Sequence, residues 1–404
     1  MNQMRSPAIG LIGRPRSIFI LLAMISSYVT AASESTEKKP PRPERTERER
    51  AQWIDELRSL YTTDPQQWPA PFVDEPHQWR ELGLLPPVVH PTDNPHSPEK
   101  EELGKILFFD PRLSGSGQIA CASCHDPDLH WADGRTTSFG HSRTLLTRNA
   151  PTIRNSAFAK TLFWDGRAES LESQVIAVLN NPSEMRANVH DVTERLKTSD
   201  EYRTRFQASF GDDAITFERI AQAIACFERT IVGGRSRFDA FLNGKIPELS
   251  PSELAGLDLF RREARCINCH NGPLFSDGEM HNVGLSYYGR RFEDLGHYHV
   301  SGEAESVGQF RTPSLRDVTR TTPLMHNGLF ELQGVLNMYN AGMPTLRRKD
   351  HQQDDPLFPI KSPLLKPLGL NQQDLADLAA FLKALEEPKL RIWAPPLPSI
   401  PPTN

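Results

Sequence analysis

Apolar residues recur at helical spacing in several stretches. Residues 217–232 place Ile220, Ile224, Phe227 and Ile231 on one stripe, and Gly233-Gly234 follows as a stop. Residues 372–386 place Leu375, Leu378, Phe381, Leu382 and Leu385 on one face, with Asn371 as the N-cap. Two further helices are predicted to open at Ser97-Pro98 and Ser250-Pro251, each with Ser at the N-cap and Pro at the first helical position. Glu253 completes a capping box in the second. No convincing run of period-two alternation suggests a sheet, so the predicted fold class is all-α.

The two Ser-Pro helices open an internal repeat. Both carry G-x-x-L-F, from Gly104 to Phe108 and from Gly256 to Phe260. Both then reach C-x-x-C-H: Cys121, Cys124 and His125 in the first copy, and Cys266, Cys269 and His270 in the second. The unit is helix, loop and attachment motif, used twice. In such a motif two thiols reach the vinyl groups of one haem, and the adjacent His is placed under its iron. A zinc or redox C-x-x-C accounts less well for a His directly after both motifs. Two haem c groups are expected, with His125 and His270 as proximal ligands.

Composition sharpens this picture. Four of the five cysteines lie in these motifs, leaving Cys226 among apolar residues as a small buried hydrophobe. No disulfide framework is expected. Arg5, Arg14 and Arg16 precede the apolar run 17–29, and small residues follow at 29–32; residues 1–32 thus read as a signal peptide for export to the periplasm. Removing it takes the formal charge from −5 to −8 and leaves no membrane span. Nothing in this acidic balance suggests nucleic-acid binding. Residues 33–96 read as a lead-in, charged and solvated to about residue 60, then Pro-rich and irregular over the surface.

The sixth iron ligand decides what each haem does, because a filled site carries electrons and an open one binds peroxide or oxygen. Candidates after the first motif are His130 and His141. After the second they are His281, His297, His299, Met325, His326, Met338, Tyr339 and Met343. Composition does not choose among them.

From Leu103 to Leu385 the chain resembles the bacterial di-haem cytochrome c peroxidases and their MauG-type relatives. The carriers are "LFFDPRLSGSGQIACASCHDP", "RNAPTIRNSAFAKTLFWDGRAESLESQ", "EM" at 184–185, "AIACFERT", "RFDAFLNG", "CINCHNGPLFSDG", "FRTPSLRDV" and "TTPLMHNGLFELQGVLNMY". The resemblance implies two cytochrome c-like domains, 97–236 and 237–371, with 372–404 packing back on the first. The first haem would be the peroxidatic site, with His141 as a displaceable ligand. Gln174 and Glu184 would be the distal polar residues, and Trp164 the relay between haems. One carboxyl near the iron can move a proton between the two peroxide oxygens, and an amide can hold the peroxide.

The second haem would receive electrons from a small cytochrome c or a copper protein. Its far ligand in the peroxidases is a methionine; here Tyr339 falls at or beside that position with Met338 next to it, as in MauG-like members. Met343 and Met325 stay open as alternatives. A calcium ion between the haems is implied on Asn149 and on the carbonyls of Thr321 and Pro323. The implied activity is reduction of hydrogen peroxide to water, possible as a homodimer. Two alternatives remain: a MauG-like oxidase of a protein or organic substrate acting through a high-valent haem state, and a di-haem electron carrier.

Overall fold

The computed structural model describes residues 39–75, 78–245 and 249–400. The expected signal peptide lies outside these residues. Among them the helices are α1 (Glu47–Tyr61), α2 (Pro98–Phe109), α3 (Leu171–Asn180), α4 (Val189–Lys197), α5 (Asp200–Phe210) and α6 (Phe217–Glu228). They continue with α7 (Arg237–Leu242), α8 (Pro251–Arg261), α9 (Tyr298–Ser301), α10 (Leu332–Asn340) and α11 (Gln372–Ala384). The described sheet is one antiparallel pair of two-residue strands, β1 (Met280–His281) and β2 (Phe310–Arg311). The chain is therefore mostly helical. The expected caps are present: Ser97 accepts from Lys100 N, and Ser250 with Glu253 and Asn371 with Asp374 form capping boxes.

The sequence repeat is a packing repeat. A Cβ on Gly104 of α2 would fall 1.8 Å from the Ala223 carbonyl oxygen of α6. A Cβ on Gly256 of α8 would fall 2.0 Å from the Asp377 carbonyl oxygen of α11. Only a residue without a side chain lets the two backbones cross so closely. Each attachment motif is thus preceded by a helix that crosses a later one through its glycine.

Two apolar clusters follow from these crossings. One unites Leu103, Ile106, Leu107 and Phe108 with Ile220, Ile224 and Phe227. The other unites Leu254, Leu257, Leu259 and Phe260 with Leu375, Leu378, Phe381 and Leu382. The expectation placed 372–404 with the first attachment motif; α11 packs instead in the cluster of α8. The segment after α11 meets the cluster of α2 and α6, where Leu390, Ile392 and Ile400 pack and the Pro398 carbonyl accepts from Arg112 at 2.9 Å.

The charged lead-in also differs from expectation. Residues 47–61 form α1, whose Ile54, Leu57 and Tyr61 are buried in the second cluster. Its cations meet carboxylates of α11: Arg50 pairs with Asp377, and Arg42, just before α1, pairs with Asp374. The charge density that suggested a solvated segment is partly spent on these pairs, which hold α1 to α11. Beyond one short turn at Pro65–Gln67, the Pro-rich part up to Ser97 is irregular, as expected.

Candidate functional site

Both C-x-x-C-H motifs open into one cavity of about 1370 Å³. Short turns at Cys121–Ser123 and Cys266–Asn268 present the thiols, and the following backbone folds so that His125 N and His270 N donate to the carbonyls of Cys121 and Cys266. The Nδ1 atoms of the two histidines donate to the carbonyls of Trp131 (3.1 Å) and Phe275 (3.0 Å). A donating Nδ1 fixes the neutral tautomer and leaves Nε2 as the lone-pair nitrogen. Burial depresses both imidazole pKa values, which favours that neutral form. The four cysteines are free of disulfides. Burial raises the Cys121 thiol and pushes the Cys266 thiol up to about 12. Cys226 is buried in α6, as expected.

On the first motif's side, Gln174 of α3 and Glu184 of the loop after it line the cavity. Glu184 has a buried Oε2 with no partner. Burial pushes its carboxyl above the ordinary 4.5, while Arg167 and Arg148 pull the other way. His141 is not among the cavity-lining residues. Its backbone N–H is held by the Ser183 and Glu184 carbonyls (3.0 and 2.8 Å), and its Nε2 lies 3.4 Å from Arg186 Nη1.

Trp164 lines the same cavity. Its indole N–H donates to the Asn149 carbonyl at 2.9 Å, and its ring meets the edge of His326 at 6.4 Å. His326 stacks on Phe310 at 3.7 Å, and burial depresses its pKa to about 4, so it is neutral. Asn149 N donates to the His326 carbonyl at 2.7 Å, which ties the two halves together here. The Asn149 amide nitrogen donates to the Arg135 carbonyl (2.7 Å), which fixes the direction of its Oδ1. Thr321 and Pro323 line the same cavity.

On the second motif's side, α10 turns Leu332, Val335, Leu336 and Tyr339 to the cavity. This is the i, i+3, i+4, i+7 face of a helix. Met338, one position earlier than Tyr339, lies off that face, as does Met343, whereas Met325 lines the cavity. Burial, with the nearby Cys269 and Cys266, raises the Tyr339 phenol. Of the other candidates, His281 Nε2 is paired with Asp277 (2.8 Å), His297 Nδ1 with the Asp165 carbonyl (2.7 Å), and His130 lies 3.6 Å from Asp317.

The profile of the di-haem cytochrome c peroxidase family matches residues 98–246. The cytochrome-c peroxidase IdrP1 of Pseudomonas sp. (strain SCT) is 38% identical over 334 residues, covering 75% of this chain and 85% of the relative. This chain belongs to the di-haem cytochrome c peroxidase family. The methylamine utilization protein MauG of Methylophilus methylotrophus is 36% identical over 316 residues, covering 77% of this chain and 89% of that protein. A crystal structure of a MauG-like protein associated with microbial copper homeostasis superposes with a TM-score of 0.68 at 33% identity, covering 77% of this chain and 95% of that one. The chain is a peroxidase-type oxidoreductase.

Membership of the di-haem family implies haem c cofactors. The residues fit them: at each motif two free thiols stand beside a neutral imidazole with a free Nε2, all on one cavity wall. Two features escaped the sequence reading. Arg148 bridges Asp165 (2.6 Å) and Asp294 (2.7 and 2.8 Å) across the cavity wall. Glu228, inside "AIACFERT", lines the cavity with its carboxyl pushed up to about 8 by burial. An acid ending an otherwise apolar helix stripe was the available signal. Among the described residues no helix is long and apolar enough to cross a membrane.

Proposed function

We propose that the chain is an exported di-haem peroxidase that reduces hydrogen peroxide to water, taking two electrons and two protons per peroxide from a small redox protein and solvent. The observation that carries this is Glu184: its Oε2 is buried without a hydrogen-bond partner and burial raises its pKa, in the cavity that Gln174 and the first attachment motif also line. Bound haem supplies the redox-active iron and the path for electrons.

The chain's own residues do the rest. Glu184 takes a proton from the near peroxide oxygen and gives it to the departing one, so that water leaves instead of hydroxide. Burial raises its pKa, so it holds a proton more readily than an exposed carboxylate does. Gln174 orients the peroxide. Trp164 stands between the haem sites as the electron relay, its ring fixed by the Asn149 carbonyl and the His326 edge. His141, in the loop held by the Ser183 and Glu184 carbonyls, would be the displaceable ligand of the first iron. His125 and His270 would hold the irons through Nε2, and Tyr339 would be the far ligand of the second iron. Asn149 Oδ1 with the Thr321 and Pro323 carbonyls suits a calcium ion, a hard cation that takes neutral oxygens and water.

A second reading is a MauG-like oxidase of a protein or organic substrate. The cavity position of Tyr339, with Met338 off it, favours that reading, because a phenolate stabilises ferric iron where a thioether does not. Steady-state oxidation of reduced cytochrome c by peroxide separates the two. Rapid turnover supports the peroxidase; negligible turnover with oxidation of an added substrate supports the oxidase.

A further inference from the structure

The cavity wall carries a cation that no acid among the described residues balances. Other arginines on this wall meet carboxylates: Arg148 meets Asp165 and Asp294, Arg154 meets Asp317, Arg167 meets Asp165, and Arg265 meets Asp74. Arg311 differs. Its Nε donates to the Phe163 carbonyl (3.1 Å) and its Nη1 approaches the Thr312 carbonyl (3.4 Å). Among the described residues it makes no ion pair. A guanidinium has five N–H donors, so most of its capacity is unspent. Burial depresses its pKa with nothing to oppose it. The surface it still exposes belongs to the cavity wall. A guanidinium so placed calls for an anion that the polypeptide lacks.

Position narrows the choice of anion. Arg311 N donates to the Trp164 carbonyl at 2.8 Å, so the residue abuts the relay. The next residue faces the second motif: the Thr312 carbonyl accepts from Ser276 Oγ (2.7 Å), and Ser276 directly follows Phe275, whose carbonyl holds His270. Arg80 also lines the cavity without an ion pair among the described residues, but it is exposed, and water already satisfies it. We infer that Arg311 is the counter-charge of a propionate of the second haem, clamping that haem's edge beside Trp164. This rests on the family's cofactor and not on the peroxidase reading.

A buried positive charge favours ferrous over ferric iron, so Arg311 raises the potential of the second haem. Arg311→Gln keeps a donor for the Phe163 carbonyl and removes the charge; Arg311→Lys keeps the charge. Spectroelectrochemical titration of the haem-loaded chain, without peroxide, reads each haem separately. The expected result is a lower midpoint potential in Arg311→Gln, with a larger shift at the second haem than the first, and near-recovery in Arg311→Lys. Unchanged midpoints in Arg311→Gln with both haems attached, or a larger shift at the first haem, would overturn the inference. Should Arg311→Gln fail to mature, a crystal structure of the haem-loaded wild type decides. A propionate oxygen of the second haem within about 3.2 Å of the guanidinium supports the clamp, and its absence there refutes it. Because no peroxide is used, failure here leaves the peroxidase reading untouched.

Discussion

The indole N–H of Trp164 donates to the backbone carbonyl of Asn149 at 2.9 Å. That bond joins the residue assigned to electron relay to the one assigned to calcium, and Asn149 N in turn holds the carbonyl of His326. The proposed relay and the proposed ion site therefore share one chain of hydrogen bonds. Trp164→Phe keeps an aromatic edge against His326 and loses the bond. The expected outcome in stopped flow is electron transfer to the first haem slowed by more than about tenfold, equivalent to about 1.4 kcal/mol of barrier. An unchanged rate would remove Trp164 from the path.

Tyr339 and Met338 are adjacent in α10, yet only the tyrosine faces the cavity. Tyr339→Phe is expected to change the low-temperature EPR and the optical redox titration of the second haem, while Met338→Leu leaves both as in wild type. A second-haem spectrum indifferent to Tyr339→Phe would mean that another residue sits on that iron.

The acid chemistry of Glu184 gives a pH signature. Burial raises its pKa above the ordinary 4.5. Turnover that starts with the carboxylate accepting a proton is lost below that pKa and rises as pH climbs through it. The rising limb should lie at higher pH than for an exposed glutamate, and Glu184→Gln should abolish it. A limb that survives in Glu184→Gln belongs to another group.

The glycine crossings make a stability prediction. Gly256→Ala would put a methyl 2.0 Å from the Asp377 carbonyl, and Gly104→Ala one 1.8 Å from that of Ala223. Each should lose about 1–3 kcal/mol in urea unfolding, the ordinary cost of overpacking. Gly334→Ala is the control: it lies in α10 with nothing within 4 Å of the added Cβ, and should gain roughly 0.4–1 kcal/mol. Equal effects at the three positions would contradict the account of the crossings.

How much of this was legible in the sequence depended on range. The caps at Ser97, Ser250 and Asn371, the apolar stripes of α6 and α11, and both attachment motifs are local patterns, and they stand where the sequence placed them. The partner of α11 was not legible, because its stripe fits either domain; the decision lies in Gly256 meeting Asp377, a contact 121 residues apart in number. Helix α1 was hidden by its own charge, since Arg50 looks solvated until Asp377 is placed opposite it. For His141 the fold adds what the motif did not carry: its backbone is held by the Ser183 and Glu184 carbonyls, and its Nε2 lies beside Arg186. The side chains of Gln174, Glu184, Trp164 and Tyr339 do share one cavity, as the motifs implied.

The most direct test of the central claim is steady-state peroxide turnover by the haem-loaded chain, with reduced cytochrome c as donor, in wild type and Glu184→Gln. The account predicts oxidation of two donor molecules per peroxide in the wild type. In Glu184→Gln it predicts a fall in kcat of about 100-fold or more, the usual contribution of a positioned acid. Negligible wild-type turnover, or a Glu184→Gln variant as fast as wild type, would contradict it.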